Sequence, residues 1–250
     1  MKDEAPAAAD GYRTDWLQQE QAEREPLLRL LAQVKRQQRL SRGRVLELGS
    51  GLGRNLQLFR ADNQVLGLEA MAQAVAQARA SGVPSRCVDL ERQDWGAQAP
   101  GPWNAVLLID VLEHVVEPLR LLEQAAALLS PGGVIVVNLP NHFDWRARLR
   151  MLRGAGIDAP AYFPTTPAWH YPHLRLLRHG DALALLQTAG LRVVDDLSCR
   201  QSSLPKARHA PRLAAILTRQ WPALLASGFL LVAVRRVEDL PGPAPGSAAD

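Results

Sequence analysis

Residues 44–54 read RVLELGSGLGR: five residues of strand-like apolar sequence, then three glycines, at Gly49, Gly51 and Gly53, ahead of a segment with helical spacing from Arg54. Glycines at such a turn accept positive φ and let the backbone approach a ligand, while the helix start presents unpaired N–H groups. The loop is not a dinucleotide fingerprint, because counting GxGxxG from Gly49 places the third glycine on Arg54. Nor is it a phosphate loop, since no Gly-Lys-Ser/Thr follows.

Outward from this turn the period alternates. Short β-rich runs lie at 44–48, 64–69, 85–88, 103–109 and 133–139, and segments with helical spacing separate them at 54–59, 71–80 and 118–129, the last stopped by Ser130-Pro131-Gly132-Gly133. Strand alternating with helix predicts a doubly wound α/β fold with a parallel sheet. A leading helix over 14–38, with a break at Pro26, precedes the pattern; a helix near 180–189 and strands at 191–197 and 228–234 follow it. The apolar stretch 211–226 reads as a helix packed on the sheet before the last strand, with a membrane-facing or dimer-forming element as the other reading. One domain over 12–238 is expected: a cofactor-binding half at about 40–140, an acceptor insert at 141–178 and closing elements at 179–238. Mobile tails are expected at 1–11 and 239–250.

With 250 residues, 47% apolar and 22% charged, the chain is of ordinary globular composition, which excludes fibrous and disordered classes. Cys87 and Cys199 stand far apart with no CxxC, so neither a disulfide framework nor a metal site is expected, and a cytoplasmic setting fits. The net charge of +4 divides unevenly: residues 1–140 carry 15 Lys/Arg against 17 Asp/Glu, and residues 141–250 carry 14 against 8. A basic second part suits an anionic partner, although an arginine-rich composition alone gives the same excess.

Acids stand where the strands end. Glu47 lies in the first, Glu69 closes the second 18 residues after Gly51, Asp89-Leu90 follows the third, and Asp110-Val111-Leu112-Glu113-His114 follows the fourth. Together with Leu129-Ser-Pro-Gly-Gly133 before the fifth strand, these five motifs in order over 44–140 resemble the class I S-adenosylmethionine-dependent methyltransferases, whose cofactor motif is ExGxGxG. The resemblance implies a Rossmann-like, mostly parallel seven-stranded sheet with helices on both faces and the last strand antiparallel. It also implies S-adenosylmethionine as cofactor, S-adenosylhomocysteine as product and a small-molecule acceptor.

On that resemblance Glu47, Gly49, Ser50, Gly51 and Gly53 hold the amino-acid part of the cofactor. Glu69, with Ala70 and Met71, holds the ribose; Asp89 and Leu90 hold the adenine; Asp110, Val111 and Glu113 line the reacting end. The physics agrees: a ligand with a diol and a sulfonium but no phosphate wants acids where a phosphate site wants lysine. His114 is the candidate general base, with a cofactor-pocket role as the alternative.

The stretch after the fifth strand resembles in part the methionine-biosynthesis-associated methyltransferase-like proteins, while Leu112-Glu113-His114 resembles quinone-type O-methyltransferases. His142, Trp145, Trp169, His170 and His173 are its candidate acceptor-pocket residues. Arg146, Arg148, Arg150 and Arg153 recur at helical spacing and read as a solvated face. Three other functions are weighed. A fold-retaining docking partner of a biosynthetic enzyme is the main alternative. A nucleic-acid methyltransferase is disfavoured, because no Asn/Asp-Pro-Pro-aromatic motif and no Pro-Cys nucleophile is present. A nicotinamide oxidoreductase is disfavoured by Arg54. The oligomeric state is left open between monomer and homodimer.

Overall fold

The computed structural model describes residues 25–156, 172–205, 207 and 209–236. Its centre is a seven-stranded sheet in the order β3-β2-β1-β4-β5-β7-β6. The strands are β1 (Arg44–Leu48), β2 (Gln64–Glu69), β3 (Ser85–Cys87), β4 (Trp103–Ile109), β5 (Leu129–Pro140), β6 (Leu191–Asp196) and β7 (Gly228–Arg235). The first five pair in parallel, and β7 runs antiparallel to both β5 and β6. Central strands carry apolar residues on consecutive positions because both faces are covered: Val106, Leu107 and Leu108 of β4 are all fully buried.

The connecting helices are α1 (Glu25–Gln37), α2 (Arg54–Phe59), α3 (Ala72–Ala80), α4 (Trp95–Gln98), α5 (Pro118–Ala127), α6 (Trp145–Leu152), α7 (His179–Thr188), α8 (Pro211–Gln220) and α9 (Pro222–Leu225), with a 3-10 turn at Ser198–Arg200. Two apolar clusters flank the sheet. One joins Leu46, Leu108 and Val137 to Leu122 of α5 and Leu186 of α7; the other joins Val45, Leu107 and Val136 to Leu31 and Val34 of α1 and to Leu56 and Phe59 of α2. Helices on both faces are thus what the alternating apolar pattern builds.

Two expectations need correction. The fifth strand begins at Leu129, not at Gly133, because Leu129 already pairs with Trp103; the Ser-Pro-Gly-Gly run is absorbed as an irregularity in the register between Trp103 and Ala105. α1 begins at Glu25 with Pro26 in its first turn, a position where the missing N–H costs nothing, and the part of the expected leading segment before residue 25 lies outside the described residues. The helix in 211–226 does not pack on the sheet. α8 rests on the Ser198–Arg200 turn, and none of its residues belongs to either apolar cluster. No helix among the described residues is long and apolar enough to cross a membrane.

Candidate active site at the carboxyl ends of the strands

The strand order reverses between β1 and β4, so the loops after these two strands stand at the switch point, the usual ligand position in an open α/β sheet. Gly49, Gly51 and Gly53 all have positive φ, at 69, 52 and 74°. Two of them are also sterically required. A Cβ on Gly49 would stand 2.6 Å from Cγ2 of Val111 in the loop after β4, and one on Gly53 would stand 3.0 Å from Val83.

Glu69 fixes the shape of this loop. Its Oε2 accepts from the Gly51 amide at 3.0 Å and its Oε1 from the Met71 amide at 2.9 Å. Burial raises its pKa, and the backbone bonds from Met71 and Gly51 oppose that shift. Glu47 is fully buried one strand away, and its Oε1 accepts from the Asn55 amide group at 2.7 Å. Ser50 is buried over Gly67, where a Cβ would lie 2.4 Å from the Ser50 Oγ. Ala70 is exposed beside Glu69, and its carbonyl accepts from the Cys87 thiol at 3.4 Å.

Asp89 follows β3. Its Oδ1 accepts from the amides of Glu91 at 2.9 Å and Arg92 at 3.2 Å, so the side chain caps the turn it begins, while Leu90 packs against the neighbouring apolar cluster. Asp110 closes β4 with φ at +55°, in the left-handed region that asparagine and aspartate tolerate best. Its Oδ1 accepts from Nδ2 of Asn138 at 2.6 Å, and Oδ1 of Asn138 accepts from Nε2 of Gln201 at 2.9 Å. Neither Asn138 nor Gln201 figures among the sequence-derived candidates. Asn138 had a signal, being the one polar residue in the run GVIVVNL; Gln201 had none, since only the pairing of β5 with β7 brings it there.

Beyond Asp110 the side chains converge. Glu113 is buried, with its Oε2 in no hydrogen bond; burial, then the charge of Asp110, pushes its pKa well above the ordinary carboxylate value. Its carbonyl accepts from the amides of Leu174 and Arg175, which ties the segment before α7 to this loop. His114 places Nδ1 3.2 Å from the Pro172 carbonyl, and its pKa is lowered, chiefly by burial. His173 lies edge-on to both His114 and His142, at centroid distances of 4.7 and 4.8 Å, and its Nδ1 is 2.6 Å from Nε2 of His142. Burial, then the charge of His114, lowers the pKa of His142 to about 4. The same causes, with His142 added, lower His173 to about 3. One ligand atom each from Glu113, His114 and His173 lie within 4.8 Å of one another, a donor set that could hold a divalent cation and that no local sequence motif signals.

Of the expected acceptor residues, His142 and His173 therefore meet at the Asp110–His114 loop. Trp145 directs its indole N–H to the Ser203 carbonyl at 3.2 Å, a structural tie rather than an open pocket wall. Trp169 and His170 lie outside the described residues. The arginine face is partly structural: Arg146 donates to the Ser203 carbonyl and Arg148 to that of Phe143.

Residues 17–196 match a family model described as a methyltransferase domain. The chain is 29% identical over 161 residues to the ubiquinone biosynthesis O-methyltransferase of Xylella fastidiosa (strain M23), covering 62% of this chain and 63% of that protein. It thus spans a little under two thirds of that relative's length. It is 28% identical over 200 residues to the trans-aconitate 2-methyltransferase of Azoarcus sp. (strain BH72), covering 73% of this chain and 75% of that one. In fold it is similar to an S-adenosylmethionine-dependent methyltransferase from Clostridium acetobutylicum ATCC 824, with a TM-score of 0.60 at 10% identity over 91% of this chain and 98% of the other.

Proposed function

The chain belongs to the methyltransferase-domain family, and from that premise we propose that it transfers a methyl group from S-adenosylmethionine to an oxygen of a small-molecule acceptor. The observation that carries the reading is the row of acids along neighbouring strand ends, Glu47, Glu69, Asp89 and Asp110, around a loop whose Gly49 has no room for a Cβ. A cationic sulfonium with a sugar diol suits that lining, and a phosphorylated cofactor does not.

The residues fit such a ligand. Each carboxylate oxygen of Glu69 accepts one amide and keeps a lone pair for a ribose hydroxyl. The glycine loop with Glu47 and Ser50 would hold the amino-acid part, Asp89 and Leu90 the adenine, and Asp110, Val111 and Glu113 the reacting end. When bound, S-adenosylmethionine supplies an electrophilic methyl group. The protein's part is to position the acceptor and take its proton. A carbonyl only accepts, so the contact with Pro172 puts the His114 proton on Nδ1 and makes Nε2, 4.0 Å from Oε1 of Glu113, the nitrogen that would take the acceptor's proton. Burial keeps that imidazole neutral near pH 7. Acceptor recognition falls to His142 and His173, with Trp169 and His170 as further candidates. An oxygen acceptor is supported by the likeness to the ubiquinone-type relatives, whose own names state O-methylation.

Titration calorimetry with S-adenosylmethionine, S-adenosylhomocysteine and NAD tests the cofactor half. Both sulfur nucleosides should bind and NAD should not. Glu69→Ala should weaken their binding roughly ten- to a hundredfold, about 1.5 to 3 kcal/mol, and an unchanged affinity removes Glu69 from the site. His114→Gln should lower kcat for the acceptor while leaving cofactor affinity intact; a matching loss of affinity would make His114 a pocket residue instead.

A further inference from the structure

Two helices are built the wrong way round for packing alone. α8 buries Ala214 and Thr218 and turns Leu213 and Ile216 outward, 57% and 66% exposed, with Trp221 next to it 53% exposed. α6 buries Ala147 and exposes Leu149 and Leu152, the latter to 84%. These five account for most of the large apolar side chains left exposed among the described residues. A soluble helix normally does the reverse, so the arrangement marks an interaction surface.

The two helices are neighbours. Trp145 and Arg146 of α6 both donate to the Ser203 carbonyl, and Thr218 of α8 donates to the Ser202 hydroxyl at 2.8 Å. Charge identifies the occupant. Residues 145–157 contain four arginines and no acid, and residues 197–237 contain seven Lys/Arg and no acid. Arg212 and Arg219 are exposed on α8, four residues before and three residues after Ile216, away from the buried Ala214 and Thr218. A second copy of this surface would set arginine against arginine. A nucleic acid would satisfy the arginines and leave the leucines, isoleucine and tryptophan in water. Outward apolar side chains bordered mainly by arginines, with Asp195 and Asp196 in the groove beside Arg219 and a tryptophan at the helix end, match the interface of a bilayer carrying negative headgroups.

We infer that α6 and α8, with Trp221, form a docking surface for an anionic phospholipid membrane. The inference stands independently of the methyl-transfer reading, because no residue of the crevice is needed for it. α6 follows His142 by only three residues, so a chain docked in this way holds the side of its crevice at β5 close to the lipid.

Co-sedimentation of the full chain with vesicles of pure phosphatidylcholine, and of phosphatidylcholine with 30% phosphatidylglycerol, tests it. Binding is expected to the anionic vesicles only, and to fall as salt is raised. Arg212→Ala and Arg219→Ala should each weaken it about fivefold. Leu213→Ser with Ile216→Ser should weaken it at least about tenfold, with the melting temperature and cofactor affinity of the folded variant unchanged. Equal binding to both vesicle types, or none, overturns the proposal. So does concentration-dependent dimerisation abolished by the serine variant, or tight oligonucleotide binding lost with the arginines but kept in the serine variant.

Discussion

His142 and His173 hold their rings neutral against a crowded, dry setting, and that has a direction in pH. An unfolded chain's histidines take up protons near 6.5, whereas burial and the neighbouring imidazoles lower these two to about 4 and about 3. Between those values the unfolded state binds more protons, so their contribution to stability is present above pH 6.5 and is lost as pH falls toward 4 and 3. Glu113 and Glu69 act in the opposite sense. With raised pKa values they bind protons in the folded state before the unfolded one does, so acidification relieves their burial. The double substitution His142→Asn with His173→Asn should therefore flatten the fall in melting temperature between pH 7 and pH 5, as followed by circular dichroism. A slope unchanged from that of the parent would mean that these rings do not stay neutral in the folded chain. The acids and glycines around the crevice were legible one residue at a time because each stands at a strand end. The imidazole cluster was not: His114, His142 and His173 are joined only by the way the segment before α7 folds back on the carbonyl of Glu113.

At the scale of elements, the crevice is braced from the side away from the glycine loop. Asn138 near the carboxyl end of β5 bonds Asp110 on one side and Gln201 on the other, and the carbonyl of Gln201 accepts from both the amide and the hydroxyl of Ser227. Three segments distant in sequence thus hold one carboxylate whose backbone already sits at positive φ. Asn138→Leu should destabilise the fold by about 1 to 3 kcal/mol in urea unfolding, because it leaves two half-buried polar partners unmatched. It should cost acceptor turnover more than it costs stability, since Asp110 loses its orientation. Strand limits were largely readable: 44–48, 64–69 and 103–109 coincide with β1, β2 and β4, because buried parallel strands are continuous apolar runs bounded by turns. The misreadings fall where turn residues join a strand, at 129–133, and where helix periodicity cannot say which side is wet, as in α8.

Among the described residues, the glycine loop, the imidazole cluster and the arginine-bordered helices lie along the carboxyl edge of one sheet, and the opposite edge is left to short turns. One feature of that sheet also governs how the chain is made. The last strand in sequence, β7, lies inside the sheet, bonded to β5 on one side and β6 on the other. A ribosome that has released residues up to 227 has delivered the other six described strands, yet β5 ends in an open edge and β6 has no strand neighbour. One of the two pairings of β5 and the whole strand pairing of β6 wait for this eight-residue strand. Until it emerges, the nascent chain carries an unpaired apolar edge beside a free strand that could pair elsewhere, and this is the stage at which a chaperone would matter most.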